Sequence, residues 1–319
     1  MENKAEAIGI KWKNCPLCKN KKTSLKYKNM GDKGYFINGK FDLIECQNCK
    51  FEFLSYLLNE KQLAKYYPSE DYYSFYNYNP LALKYHKLSA YYHSKKTFLF
   101  NFVFFPLSPI LYKYYIKQDA NVLEIGCGNG MKLEIYRKYG MKTAGIEPYG
   151  PGLAEKEKVL GIERISVKDA KYKENSFDFI VLKEVLEHVP NQKLLLERCF
   201  KWMKPGGRFI ITVPNTDSFL CRLFKQDWFG YDVPRHLYNY NPENLSFFLK
   251  KFGFKIIRIK LYEMPYMLDG SLKFHIARKT GKKEHEFIFS NFAKIAATPI
   301  ALMLTYLKRG SLMEIECTK

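Results

Sequence analysis

Three features of the chain predict an α/β fold: a doubly wound, mainly parallel sheet, preceded by a small cysteine-held ribbon and a helical linker. From residue 120 onwards, short apolar runs alternate with helix-length segments, the pattern of βαβ units. A glycine-rich turn, Gly126-Cys-Gly-Asn-Gly130, follows the first of those runs and opens a helix. Two Cys-x-x-Cys pairs, Cys15/Cys18 and Cys46/Cys49, are separated by 27 residues near the N-terminus.

Each element has a local reason. In residues 1–58 the two cysteine pairs can each place two thiolates on a tight turn, and together they supply four soft ligands for a tetrahedral Zn²⁺. Residues 26–44 between them carry Gly31, Gly34 and Gly39 as turn positions, which suits short ribbon strands. So small a module has little core, so a structural zinc would supply its folding energy. Two disulfides would need an oxidising compartment, and residues 1–13 lack the apolar core of a secretory signal. Residues 59–118 form the linker: a Tyr-rich polar stretch to residue 78, then an aromatic-faced helical stretch at 81–116.

The domain proper is expected over residues 119–319. Strands are predicted at 120–125, 142–146, 164–167, 177–182, 208–213 and 254–259, and helices at 131–139, 153–160, 192–203 and 242–252. Residues 311–318 read as a last strand beyond an inserted helical segment at about 262–310. Cys127, Cys199, Cys221 and Cys317 are scattered and are expected to be buried singly.

Composition narrows the function classes. With 47% hydrophobic and 26% charged residues the chain is not a disordered one. Fifty-two Lys and Arg against 32 Asp and Glu give a formal charge of +20, which invites an anionic partner such as nucleic acid, a membrane surface or a phosphorylated substrate. Apolar stretches at 98–112 and 287–307 are broken by prolines or a lysine, where a spanning helix needs roughly 20 uninterrupted apolar residues. The chain therefore reads as cytoplasmic. Ten Lys and Arg in residues 250–283 precede the second stretch, an order that also suits contact with the inner face of a membrane or a lipid-linked substrate.

The glycine turn excludes two nucleotide sites. A dinucleotide fingerprint needs glycine where Met131 stands, and no Gly-Lys-Ser/Thr follows for a P-loop. Glu124, two residues before the first glycine, would repel a pyrophosphate and suits a ligand carrying positive charge. Further acidic positions, Glu147 and Asp169, recur after later strands, at the crevice where an open α/β sheet binds ligands.

The run Val122-Leu-Glu-Ile-Gly-Cys-Gly-Asn-Gly130 resembles motif I of the class I S-adenosylmethionine-dependent methyltransferases. Gly145-Ile-Glu-Pro148, Val167-Lys-Asp-Ala170 and the run from Ser176 to Pro190 are similar to its later motifs in order and spacing. The resemblance implies a Rossmann-like methyltransferase fold and S-adenosyl-L-methionine as cofactor. It places Glu124, Gly126, Gly128, Gly130 and Lys183 around that cofactor, Glu147 on its ribose hydroxyls and Asp169 at its adenine. It covers residues 122–213, a little under a third of the chain.

Methyl transfer to a hydroxyl needs alignment and a proton acceptor. His236, in Asp232-Val-Pro-Arg-His-Leu-Tyr238, is the expected base, because its loop should overhang the acceptor; His188 is expected to contact cofactor or to orient Glu184. Glu184, Glu187 and His188 also resemble an E-x-x-E-H arrangement that holds a divalent ion in some quinone-ring methyltransferases, which would make Mg²⁺ a further cofactor. The ribbon, core and Pro-Arg-His-Leu loop together resemble bacterial enzymes that methylate sugars or other small acceptors. O-methylation of a sugar, glycan or other small molecule is the expectation, with RNA methylation and a non-catalytic cofactor-binding module as the alternatives. The chain lacks the Asn/Asp-Pro-Pro-Tyr tetrapeptide used for exocyclic amino groups, which makes nucleic acid the weaker partner.

Overall fold

A computed structural model of the chain describes residues 10–67, 80–94, 111–149, 154–280 and 291–319. A seven-stranded sheet forms the centre, in the order β12-β13-β10-β9-β6-β7-β8. Its first parallel unit is β6 (Asn121–Ile125), α3 (Met131–Lys138) and β7 (Lys142–Ile146). The chain continues through α4 (Ala154–Leu160), β8 (Ile162–Glu163), β9 (Phe177–Lys183), α5 (Gln192–Trp202) and β10 (Met203–Pro214). Strands β8, β7, β6, β9 and β10 run parallel; β13 (Leu312–Thr318) is antiparallel to both β10 and β12 (Lys255–Tyr262).

The central strands are apolar because helices cover both faces: Val122, Leu123, Ile180, Val181, Leu182, Ile210 and Ile211 are all wholly buried. The expected doubly wound, mainly parallel sheet is present. Its order reverses between β6 and β9, and that switch point opens the crevice into which the functional residues project.

Before the sheet stand β1 (Ile10–Lys11), β2 (Thr23–Met30), β3 (Phe41–Cys46), β4 (Glu52–Leu54), β5 (Tyr56–Leu57), α1 (Glu60–Ala64) and α2 (Pro80–Ser94). The ribbon sheet, β2-β3-β4, takes a fourth strand from far along the chain: β11 (Tyr238–Asn239) pairs with Phe53 and Glu52 of β4. Phe51, Phe53, Tyr238 and Tyr240 pack together across that junction, so one apolar core runs through ribbon and central domain.

Some expectations shift. The strand predicted at 164–167 is only Ile162–Glu163, because β8 is an edge strand and Arg164 leaves it to pair with Glu157 and donate to the Tyr149 carbonyl. Residues 111–116 are not helical; Tyr114 and Tyr115 are buried, and the Tyr115 hydroxyl donates to Glu314 and Glu316. The apolar stretch at 98–110, the polar stretch from residue 68 and the start of the stretch at 287 lie outside the described residues.

Within residues 262–310 the chain forms α8 (Pro265–Thr280) and α9 (Asn291–Tyr306). The composition did not announce α6 (Phe219–Phe224), started by the Ser218 side chain accepting from the Cys221 N–H, or β11. Helix α7 (Pro242–Lys251) begins at an Asn241 capping box with proline in its first turn, as the Asn241-Pro242 dipeptide suggests. Among the described residues no helix is long and apolar enough to cross a membrane.

Candidate active site

A cavity of about 1110 Å³ opens at the carboxyl ends of β6, β7 and β9. At one end the glycine turn forms its floor. Gly126, Gly128 and Gly130 all have positive φ, from 55° to 77°, where a side chain is strained. A Cβ on Gly126 would overlap the Val185 side chain, and one on Gly130 would meet Ile162 Cδ1 at 2.7 Å. Gly126 and Gly128 therefore line the cavity, whereas Gly130, which starts α3, packs α3 against the α4–β8 segment.

Glu147, just past β7, is buried, and its carboxylate accepts the Gly128 N–H at 2.9 Å and the Tyr149 N–H at 3.1 Å. One carboxylate thus ties the glycine turn to the second strand while facing the cavity. Burial raises its pKa. Asp169 lines the same end, exposed. Tyr149 stacks on Tyr67, with ring centroids 4.8 Å apart, and Tyr67 comes from the segment after the ribbon. This flat pair had no signal in the sequence beyond the abundance of tyrosine.

Glu124 lies elsewhere. It is wholly buried beneath the turn and does not line the cavity; its Oε1 accepts from Lys132 Nζ at 2.7 Å. Lys132 stands between it and the cavity, so the carboxylate's charge is spent on that ammonium rather than on a cationic ligand. Lys183, at the end of β9, does reach the cavity, but it is ion-paired with Glu314 and lies over the Tyr112 ring.

The turn after β9 holds Glu184, Glu187 and His188. Glu184 sits at φ +56° and points into the cavity, accepting from the Tyr266 hydroxyl at 2.9 Å. Burial raises its pKa, which makes it a better proton acceptor. His188 also lines the cavity. Its Nδ1 is 3.1 Å from the Arg235 carbonyl and 2.9 Å from the Tyr67 hydroxyl. A nitrogen facing a carbonyl must carry hydrogen, which leaves Nε2 with its lone pair; burial holds the imidazole well below its usual pKa, so it is neutral.

His236 sits behind His188, ring centroids 4.5 Å apart, and does not line the cavity. Its Nδ1 bonds to the Gly230 carbonyl at 2.7 Å, and burial lowers its pKa. The loop thus folds inward instead of overhanging the acceptor, because Arg235 anchors it beneath the ribbon. The Arg235 guanidinium is fully buried and is held by two carboxylates. It donates to Asp32 through Nη1 at 3.0 Å and Nη2 at 2.8 Å, and to Asp232 through Nε at 2.8 Å.

The oxygen-rich set expected for Mg²⁺ on Glu184, Glu187 and His188 is not assembled. The side chains that converge are Glu187, His188 and His236, with ligand atoms within 4.8 Å of one another, and Glu184 is directed away to Tyr266. Two imidazoles and one carboxylate do not suit Mg²⁺, which takes oxygen ligands.

The cysteine pairs do converge. Cys15 Sγ lies 3.7 Å from Cys49 Sγ, and Cys18 Sγ 3.6 Å from Cys46 Sγ, with all four within 4.8 Å. A tetrahedron with metal–sulfur bonds of about 2.3 Å has edges of roughly 3.8 Å, so the donor type and spacing fit a Zn²⁺ ion with no open position.

A family model described as a methyltransferase domain matches residues 98–259, just over half of the chain. The chain is 26% identical over 152 residues to the mitochondrial ubiquinone biosynthesis O-methyltransferase of Rattus norvegicus, covering 42% of this chain and 44% of that protein. It is 28% identical over 146 residues to the ubiquinone biosynthesis O-methyltransferase of Xanthomonas oryzae, covering 41% of this chain and 61% of that one. It thus spans about half the length of these curated relatives. A solved S-adenosylmethionine-dependent methyltransferase from Archaeoglobus fulgidus aligns with 70% of this chain and 100% of its own, at 21% identity and a TM-score of 0.45. On the family match over residues 98–259 the chain belongs to the methyltransferase-domain family.

Proposed function

We propose that the protein is an S-adenosyl-L-methionine-dependent methyltransferase that methylates a hydroxyl oxygen of a small molecule, a sugar or glycan unit among the candidates. The observation that carries this reading is the Glu147 carboxylate, bonded to the Gly128 N–H at 2.9 Å and facing a cavity floored by side-chain-free glycines. Such a carboxylate suits ribose hydroxyls, and the bare glycine backbone suits close approach of the cofactor. Asp169 and the Tyr67–Tyr149 pair would border the adenine end. Bound there, the cofactor supplies a methyl group on a positively charged sulfur.

The chain's own part is to orient the acceptor and to take its proton. Glu184 is the proton acceptor in this reading: it faces the cavity, its burial strengthens it as a base, and Tyr266 fixes one of its oxygens. With the cofactor bound, Glu184 would take the proton of the acceptor hydroxyl while that oxygen receives the methyl group. His188, neutral and pinned through Nδ1, presents an uncharged wall, and His236 braces it from behind. The relatives' name, ubiquinone biosynthesis O-methyltransferase, supports O-methylation of a small molecule here. The four cysteines would hold a structural zinc that clamps the ribbon.

The test is transfer of labelled methyl from S-adenosyl-L-methionine into fractionated extract. Label in small-molecule or glycan material supports the reading, and Glu184→Gln should lower kcat by about 10²–10⁴ without changing cofactor affinity. Label in RNA, or cofactor binding with no transfer to any fraction, refutes it in favour of the RNA-modifying or non-catalytic alternative.

A further inference from the structure

The end of the cavity away from the glycine turn is walled by Tyr85, His86, Tyr112, Tyr262 and Tyr266. Its floor is a charged row crossing four strands: Lys183 of β9 stands beside Thr212 of β10, Thr212 beside Glu314 of β13, and Glu314 beside Lys260 of β12. One step along the strands, Glu316 stands beside Arg258. Among the described residues three lysines line this end of the cavity, Lys113, Lys183 and Lys260, against the carboxylate of Glu314; Arg208, Arg258 and Glu316 lie outside it, with the two arginine side chains 41% and 40% exposed. With Glu184 counted as well, the three lysines exceed the two carboxylates by one.

The pairings single out one lysine. Glu314 is taken by Lys183 and by Arg258 Nη2 at 3.0 Å, and Glu316 by Lys113 at 3.2 Å. Lys260 Nζ has only the Tyr262 ring, 5.0 Å away, among the described residues. Burial pushes its pKa down to about 8; Glu314 opposes that shift, while Arg258, Lys183 and Lys113 add to it, and His93 of α2 is a further charged neighbour when protonated. An ammonium in that position is stabilised by an anion brought to it.

We propose that the acceptor is a phosphoryl-bearing molecule whose phosphate or diphosphate sits on Lys260, flanked by Lys113 and Lys183, between the tyrosine walls. The inference rests on the methyl-transfer reading of the same cavity. Three ammonium groups around one point suit a phosphate or diphosphate, whose several oxygens can accept from all of them, better than a carboxylate with two.

Calorimetry on the full chain saturated with S-adenosylhomocysteine tests it, with inorganic pyrophosphate as the probe and benzoate and glycerol as controls. Pyrophosphate should bind with an affinity that falls at least tenfold in Lys260→Met, is kept in Lys260→Arg and is unchanged in the surface variant Lys193→Met. The charge-keeping arginine variant separates loss of the ammonium from loss of packing. No pyrophosphate binding, equal binding to Lys260→Met, or Lys260-dependent binding of benzoate in its place overturns the proposal. Failure of S-adenosylhomocysteine itself to bind would instead overturn the methyl-transfer reading, so the two failures are distinct.

Discussion

Replacing Arg235 with leucine removes the cation that joins the ribbon to the central domain. The guanidinium is buried with no exposed side-chain area, and it satisfies both oxygens of Asp32, both of Asp232 and the Tyr66 carbonyl. Taking it away leaves two buried carboxylates without their counter-charge, a change that costs about 3–5 kcal/mol. At 2–4 °C per kcal/mol this is a fall of roughly 6–20 °C in melting temperature.

The effect has a pH signature. Burial favours the neutral form of Asp232, but Arg235 outweighs it and holds the carboxyl at about 2, against its ordinary 3.8. A depressed folded-state value means stabilisation that is complete above about pH 4 and is lost as the pH falls through about 2, worth about 2 kcal/mol across that window. The gap between wild type and Arg235→Leu should therefore be widest near neutrality and should narrow on acidification below about pH 4. Differential scanning fluorimetry across pH measures it. A variant melting within about 2 °C of wild type at pH 7, or a gap indifferent to acid, would refute the reasoning.

Three further outcomes are expected. Glu147→Ala should weaken S-adenosylhomocysteine binding at least tenfold by calorimetry, because it removes the cavity-facing carboxylate and frees the Gly128 N–H. Gly126→Ala places a methyl against Val185 at a φ of +71°, so it should cost about 1–3 kcal/mol and abolish cofactor binding; a variant as stable and as competent as wild type contradicts the packing argument. Metal analysis should find one zinc per chain, and Cys46→Ser or a strong chelator should lower the melting temperature and expose the ribbon to protease, an outcome that a metal-free but protease-resistant ribbon would contradict.

Sequence pattern carried the sheet well, for physical reasons. Parallel strands buried on both faces read as apolar runs, and Gly126 to Gly130 mark a turn that only glycine tolerates. The cysteine spacing carried the ribbon for the same kind of reason, since the thiolates are brought together by tight local turns. Long-range events left weaker marks. That Glu124 is neutralised by Lys132, eight residues on, depends on how α3 lies over β6. That His236 turns inward depends on Asp32, some two hundred residues before Arg235, and no local pattern encodes such a pairing.

The lysine-lined end of the cavity does leave a trace in the sequence. Arg258, Lys260 and Tyr262 share the parity of one strand face, and Glu314 and Glu316 share that of another, so a basic strand opposite an acidic one was present as two period-two patterns. Arg258 and Lys260 fall within the basic stretch at 250–283, whereas Glu314 and Glu316 lie in the last strand, some fifty residues on, so the pairing of the two patterns is long-range.

The strand that Tyr238–Asn239 adds to the ribbon bears on how the protein is made. The cysteines that gather the ribbon span residues 15–49 and can capture metal soon after they leave the ribosome. Its sheet edge, β4, then stays open until almost two hundred further residues have been synthesised, and during that interval it is a template for pairing with another nascent chain. Closing that edge also draws Arg235 onto Asp32 and sets His236 behind His188. Closure of the ribbon sheet and the bracing of His188 by His236 thus fall together late in biosynthesis, and a chain interrupted before residue 239 lacks a closed ribbon edge.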